Sequence, residues 1–275
     1  MLTTSAPLAT AIKARHIHLQ FGNKLILNDL NLDIYQGQVT ALLGPNGTGK
    51  SSLLKILSGE QSLPKKPKLA NNDQEPTLHY FGKAQQDWDK SQLAKQLGML
   101  PQQSTLTFPF LAKEVVELGG IPLSLNNHDL KQTTQKTMAT VGISDLSERS
   151  YPSLSGGEKQ RVHLARVLTQ LSSAADNCIF MLDEPTSALD LAHQHRTLSL
   201  AKTMADNGAT VIIVLHDLNL TAQYADRILL LNQGEIIADG TPWETLTPKN
   251  ISQVYGYPTF IQPHPTYGFP VVYPV

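Results

Sequence analysis

The chain has a single cysteine, Cys178, in 275 residues. No intramolecular disulfide can form, and a cysteine cage for zinc is ruled out. This usage fits a reducing compartment, usually the cytoplasm. Charge of one sign is also lacking: 22 Lys and Arg stand against 23 Asp and Glu, a net charge of −1. That balance argues against a nucleic-acid partner held by bulk charge. Long apolar runs are missing. The most apolar stretch, Val211-Ile212-Ile213-Val214-Leu215, is of strand length and far short of the roughly 18 residues that span a bilayer. Met1 to Ala11 has neither a basic start nor an apolar stretch and does not read as a secretory signal.

What is present is a globular mixture, 41% hydrophobic and 16% charged, at a length for one large domain or about two. Residues 1–12 read as a loose tail. Lys13 to Ile34 suggests short strands turning near Gly22-Asn23, and Gln38 to Leu43 a strand running into a glycine-rich turn. Helical patterns follow at Lys50–Leu57 and Asp89–Leu97, with a polar loop over 60–76 and a short strand at Leu78–Phe81. Three more helical patterns, Ala112–Leu118, Asp129–Val141 and Gly157–Leu171, predict a helical subdomain over 104–175, inserted into an α/β core of 13–103 and 176–256. Strand (Cys178–Leu182), helix (Leu189–Asp206) and strand (Thr210–Leu215) then alternate, as in a mostly parallel sheet. Ile228–Leu231 and Glu235–Ala238 flank a turn, and residues 257–275, with five prolines, read as an extended surface tail.

Three motifs carry chemistry. Gly44-Pro45-Asn46-Gly47-Thr48-Gly49-Lys50-Ser51, followed by Ser52, fits the phosphate-loop pattern between a strand and a helix. Glycines let the backbone turn its N–H groups toward a polyphosphate, and the helix adds its positive end. Lys50 would reach the β- and γ-phosphates of a nucleotide, and the Ser51 hydroxyl would ligate Mg²⁺. Asp183-Glu184 ends an apolar strand. Asp183 would hold the ion and Glu184 would be the general base for an attacking water; alone the pair reads better as a solvated acidic turn, and the phosphate loop upstream favours the functional reading. Leu154-Ser155-Gly156-Gly157-Glu158 opens a helix as a second anion-binding end. It also reads as a capping box of Ser155 and Glu158, and both readings can hold together.

The order phosphate loop, Gln102, Leu154 to Glu158, Met181-Leu182-Asp183-Glu184, Ser187-Ala188-Leu189-Asp190, His216 resembles the ATP-binding subunits of ABC transporters over residues 13–256. The resemblance implies a RecA-like phosphate-loop ATPase core with an antiparallel β element and an inserted helical subdomain. It implies a head-to-tail homodimer with two ATP molecules, each between one chain's phosphate loop and the other's Leu154–Glu158 segment. By the same resemblance, Gln102 senses Mg²⁺ and the permease, with Gln103 the alternative. Asp190 links the dimer halves, His216 meets the γ-phosphate, and Phe21 stacks on adenine. Each aromatic or histidine is otherwise an ordinary core residue.

The chain is similar to the importer branch for iron complexes and cobalamin. Phe108-Pro109-Phe110, Glu114 to Gly119, Tyr151 to Leu154, Leu191 to His195 and His264-Pro265 resemble hemin-import ATP-binding proteins, whereas Gly120-Ile121-Pro122-Leu123 departs from them. The implied partners are two membrane permease subunits and, indirectly, a periplasmic heme-binding protein, with this chain on the cytoplasmic face of the bacterial inner membrane. Heme would pass through the permease. Direct binding through His16-x-His18 or His193-x-His195 is the weaker reading, since solvated surface histidines explain both pairs. A ferric siderophore or cobalamin is the alternative cargo. A soluble ABC-type ATPase acting on nucleic acid or ribosomes is disfavoured by the single ATP module and the lack of a heptad run. A module that binds ATP without hydrolysing it is disfavoured by Glu184 and His216.

Overall fold

Gln38–Leu43, Ile179–Asp183 and Thr210–Val214 are buried along nearly their whole length. Strands covered on both faces belong to the middle of a parallel sheet. The computed structural model describes residues 8–63, 75–102, 106, 108–174 and 177–275. An antiparallel pair, β1 (Thr10–Phe21) and β2 (Lys24–Tyr35), leads to β3 (Gln38–Leu43) and α1 (Lys50–Ser58). Next come β4 (Thr77–Tyr80), β5 (Lys83–Ala84), α2 (Lys90–Gln96) and β6 (Leu97–Leu100). The helices α3 (Ala112–Glu117), α4 (Asn127–Thr140) and α5 (Gly156–Leu171) follow. The chain continues through β7 (Ile179–Asp183), α6 (Leu191–Asp206), β8 (Thr210–Val214), α7 (Leu218–Tyr224), β9 (Arg227–Asn232) and β10 (Glu235–Gly240). It finishes with α8 (Pro242–Thr245), α9 (Pro248–Tyr255), β11 (Thr259–Pro263) and β12 (Pro270–Pro274).

Among the described residues, the main sheet has the order β10-β9-β3-β8-β7-β6, parallel except for the edge strand β10. A second, antiparallel sheet has the order β2-β1-β4-β5. Alternation along β7 sends Phe180 and Leu182 to one face of the main sheet and Ile179 and Met181 to the other. The first face packs with α5 and α6 residues such as Val167 and Leu198. The second packs with α1 and the antiparallel sheet, through Leu53, Ile12 and Leu27. A third core, with Val115, Met138, Ile143 and Val162, holds α3, α4 and α5 together.

Leu42 of β3 and Asp183 of β7 both pair with Val214 of β8. The carboxyl ends of three neighbouring strands are therefore level, and the loops leaving them share one edge of the sheet. That edge is where parallel α/β sheets place their ligands.

Four expectations change. Thr10 to Ile12 are part of β1, with Ala11 and Ile12 buried in the second core, so the loose tail ends earlier; 1–7 and the greater part of the 60–76 loop lie outside the described residues. Instead of short strands, Lys13 to Ile34 lies in two strands of 12 residues each. Leu97 starts β6 instead of ending a helix, because a buried strand of four residues has no periodicity of its own. Residues 257–275 are not a lone extended tail: β11 and β12 pair as a hairpin, and Val272 enters the main core. Pro263 and Pro270 face each other at the strand ends, where a missing N–H interrupts no ladder.

Candidate nucleotide-binding and hydrolysis site

The turn after β3 depends on Gly44, at φ 146°, where a Cβ would lie 2.2 Å from the Leu231 carbonyl oxygen. No larger residue fits that approach. Thr48 donates its hydroxyl to the Pro45 carbonyl at 2.9 Å, closing the loop on itself. Lys50 opens α1, and its ammonium donates to the carbonyls of Gly44 at 2.8 Å and Pro45 at 2.9 Å. Burial lowers its pKa, with Glu184 and Asp183 pulling the other way. Asn46, Gly47, Gly49, Lys50, Ser51 and Ser52 line a cleft of about 260 Å³ with Glu184 and Phe21. Phe21, a 58% exposed residue, closes one side, an aromatic side chain available for stacking.

Asp183 accepts the Ser51 hydroxyl at 3.0 Å. Burial raises its pKa, the Ser51 hydrogen bond lowers it, and neighbouring Glu184 raises it further. Such a carboxylate favours a cation beside it. Among the described residues no group of three His, Cys, Asp or Glu side chains could hold a metal alone. A serine hydroxyl and one carboxylate are hard oxygen donors, and with phosphate oxygens they suit Mg²⁺. The residues present therefore fit that ion.

Glu184 follows in a left-handed conformation, φ 49°. Strain of this kind is held at functional positions by the surroundings. Here the carboxylate is gripped from two sides. The Gln102 amide donates to Oε2 at 2.6 Å, and His216 Nε2 lies 2.5 Å from Oε1. Gln103 falls outside the described residues. Lys50, Ser51, Asp183, Glu184, Gln102 and His216 thus meet at one end of the sheet, as the motif order predicts.

Leu154 to Glu158 do not join them. Ser155, Gly156, Gly157 and Glu158 line a separate cleft with Arg161, Asp190 and His193, while Leu154 is buried in the helical core. The capping box is formed: Ser155 N donates to the Glu158 carboxylate at 2.7 Å and Glu158 N to the Ser155 hydroxyl at 3.3 Å. Gly157 approaches the loop before α6 so closely that a Cβ would meet the Ala188 carbonyl oxygen at 2.9 Å. Asp190 caps α6, accepting from His193 N at 2.9 Å and pairing with His193 Nδ1 at 2.8 Å.

Sequence reasoning passed over Gln160, whose amide donates to the Glu184 carbonyl at 3.3 Å. Its signal is helical spacing, one turn after Gly156 on α5. The histidine pairs are not simply solvated. His16 Nδ1 lies 2.8 Å from Asp29, and buried His18 accepts from Asp29 N at 3.2 Å. His195 pairs with the Tyr224 hydroxyl at 2.7 Å. The Phe108-Pro109-Phe110 trio divides: Phe108 is 65% exposed, while Phe110 packs against the helical core.

The chain matches the family model for ABC transporter over residues 27–187. It is 58% identical over 262 residues to the hemin import ATP-binding protein HmuV of Photobacterium profundum, covering 95% of this chain and 91% of that protein. With the protein of the same name from Aliivibrio fischeri it shares 57% over 263 residues, 96% of this chain and 97% of that one. Its fold is similar to a metal-chelate type ABC transporter solved in an inward-facing conformation, with a TM-score of 0.76, 26% identity and 98% of each chain covered. It also resembles cbiO1 from Clostridium perfringens, at a TM-score of 0.70 and 24% identity over 89% of this chain and 94% of that one. Motif order, site geometry and these matches converge: the chain belongs to the ABC transporter family, among its ATP-binding subunits.

Proposed function

We propose that this protein hydrolyses ATP to power the import of hemin through a membrane permease. One observation carries the catalytic part: Glu184 lies beside the phosphate loop with both carboxylate oxygens held, by Gln102 and His216. A fixed carboxylate can accept the proton of a water attacking the γ-phosphorus. Lys50 offers its ammonium to the β- and γ-phosphates, and the backbone N–H groups of the loop and α1 cradle them. His216 orients Glu184 and meets the γ-phosphate, while Gln102 reports on the site from the loop after β6. Bound Mg²⁺ would neutralise charge on the phosphates, held by Ser51, Asp183 and Gln102. Phe21 would stack on adenine.

The separation of the two clefts within one chain supports a homodimer. An ATP on the phosphate loop of one copy would be covered by Ser155 to Glu158 of the other, with Asp190 joining the halves. Among the described residues no helix is long and apolar enough to cross a membrane. Transport therefore requires permease partners, here two subunits fed by a periplasmic heme-binding protein, with this chain peripheral at the cytoplasmic face of the inner membrane. Hemin as cargo rests on the relatives named for hemin import.

Growth of the source organism without this gene tests the proposal, with hemin, ferric salt or a ferric siderophore as iron source. Growth should fail on hemin alone and return with the wild-type gene but not with Glu184→Gln. Failure on the siderophore with normal growth on hemin would keep the ATPase and change its cargo.

A further inference from the structure

The C-terminal hairpin has no part in the chemistry above, yet it is bonded to the helix that follows His216. Asp217, the next residue, caps α7 by accepting from Asn219 N at 2.8 Å and Leu220 N at 2.9 Å. Asn219 then reaches out of the helix to β12. Its Oδ1 accepts from Val272 N at 2.7 Å, and its Nδ2 donates to the Val272 carbonyl at 3.3 Å. One side-chain amide thus takes both backbone groups of a strand residue, as a neighbouring strand would. Val272 lies in the main core, and Leu218, Leu220 and Tyr224 of α7 pack against that same core. The hairpin has its own anchors: Trp243 Nε1 donates to the Gly268 carbonyl at 3.0 Å, and the Tyr257 hydroxyl to the Val275 carbonyl at 2.8 Å. On the opposite side, the Tyr224 hydroxyl ties α7 to His195 of α6 at 2.7 Å. The helix is therefore clamped between α6 and the hairpin.

His216 rests on Glu184, but 42% of its side chain is exposed. With the imidazole partly open to solvent, its direction depends on the backbone where α7 begins. We propose that Asn219 is a positioning residue for hydrolysis. By locking the C-terminal hairpin to the first turn of α7, it fixes the backbone that points His216 at Glu184. This rests on His216 acting in hydrolysis, as read above. Misplacement of a catalytic group by about 1 Å can cost on the order of 100-fold in rate.

The test is steady-state ATP hydrolysis by the full chain, with thermal unfolding measured on each variant. Asn219→Ala should lower kcat by about tenfold and change KM for ATP by less than about twofold, because the phosphate loop is untouched. Asn219→Asp keeps an acceptor for Val272 N and should retain most of the rate. In a His216→Ala background, Asn219→Ala should add almost nothing, since both changes act on one group. Wild-type kcat in Asn219→Ala would overturn the proposal. So would a loss that persists undiminished in the His216→Ala background, which would mark a general effect on folding. Full activity in His216→Ala would instead overturn the reading of the histidine itself.

Discussion

Glu184, the proposed general base, has an unfavourable backbone of its own. A left-handed φ of 49° persists because Gln102 and His216 hold the side chain and Gln160 holds the carbonyl. Gly44 is constrained in the opposite way, by absence of a side chain. Gly44→Ala would push a methyl into the Leu231 carbonyl, and overpacking of this kind costs about 1–3 kcal/mol. Urea unfolding should show a midpoint lowered accordingly, and ATP binding should weaken with it. These residues were legible in the sequence because their chemistry demands fixed spacing: glycines before Lys50, a hydroxyl after it, two carboxylates at the end of an apolar strand. Gln160 was harder to read: helical spacing puts it one turn after Gly156, but its contact with Glu184, 24 positions away, is made only by the docking of α5. His16 and His18 were misjudged as solvated because their common partner, Asp29, comes from the neighbouring strand β2, a contact that spacing along β1 does not reveal.

At the scale of elements, the strand–loop–helix unit from β3 to α1 was readable from glycines and apolar pattern together. So were α3, α4 and α5, of which α4 is capped by Asn126 and α5 by Ser155. The strand β6 and the hairpin β11–β12 were not, since four buried residues give no period and five prolines suggest an unpaired chain. Helix α5 also carries a pH-dependent contribution. His163 is buried with Nε2 on the Tyr151 hydroxyl at 2.8 Å, and burial, then the Arg166 charge, lowers its pKa to about 4. The ordinary value near 6.5 applies once the chain unfolds, so the unfolded state binds the proton first as pH falls. This contribution is full above about pH 6.5 and lost progressively down to about pH 4, by up to about 3 kcal/mol. Urea midpoints measured from pH 7 to pH 4 should fall over that window. A His163→Gln variant, neutral throughout, should show a shallower fall, and an equal slope would remove the assignment to His163.

The whole molecule places two separate clefts on one chain. The phosphate loop, Asp183 and Glu184 share one cleft, and Ser155 to Glu158 another. Under the proposed function a second copy supplies the complement of each. Phe108 is exposed, and under the proposed function it is the apolar group offered to the permease. Phe108→Asp should sharply reduce co-purification with the permease, and unchanged recovery would remove that surface from the interface. The measurement that bears most directly on the account is turnover of Glu184→Gln compared with wild type, with association state followed by light scattering. The account predicts that the variant binds ATP, loses a factor on the order of 10²–10⁴ in turnover, and becomes dimeric when ATP is added. Wild-type turnover in that variant would contradict the assignment of Glu184 as the base and the mechanism built on it.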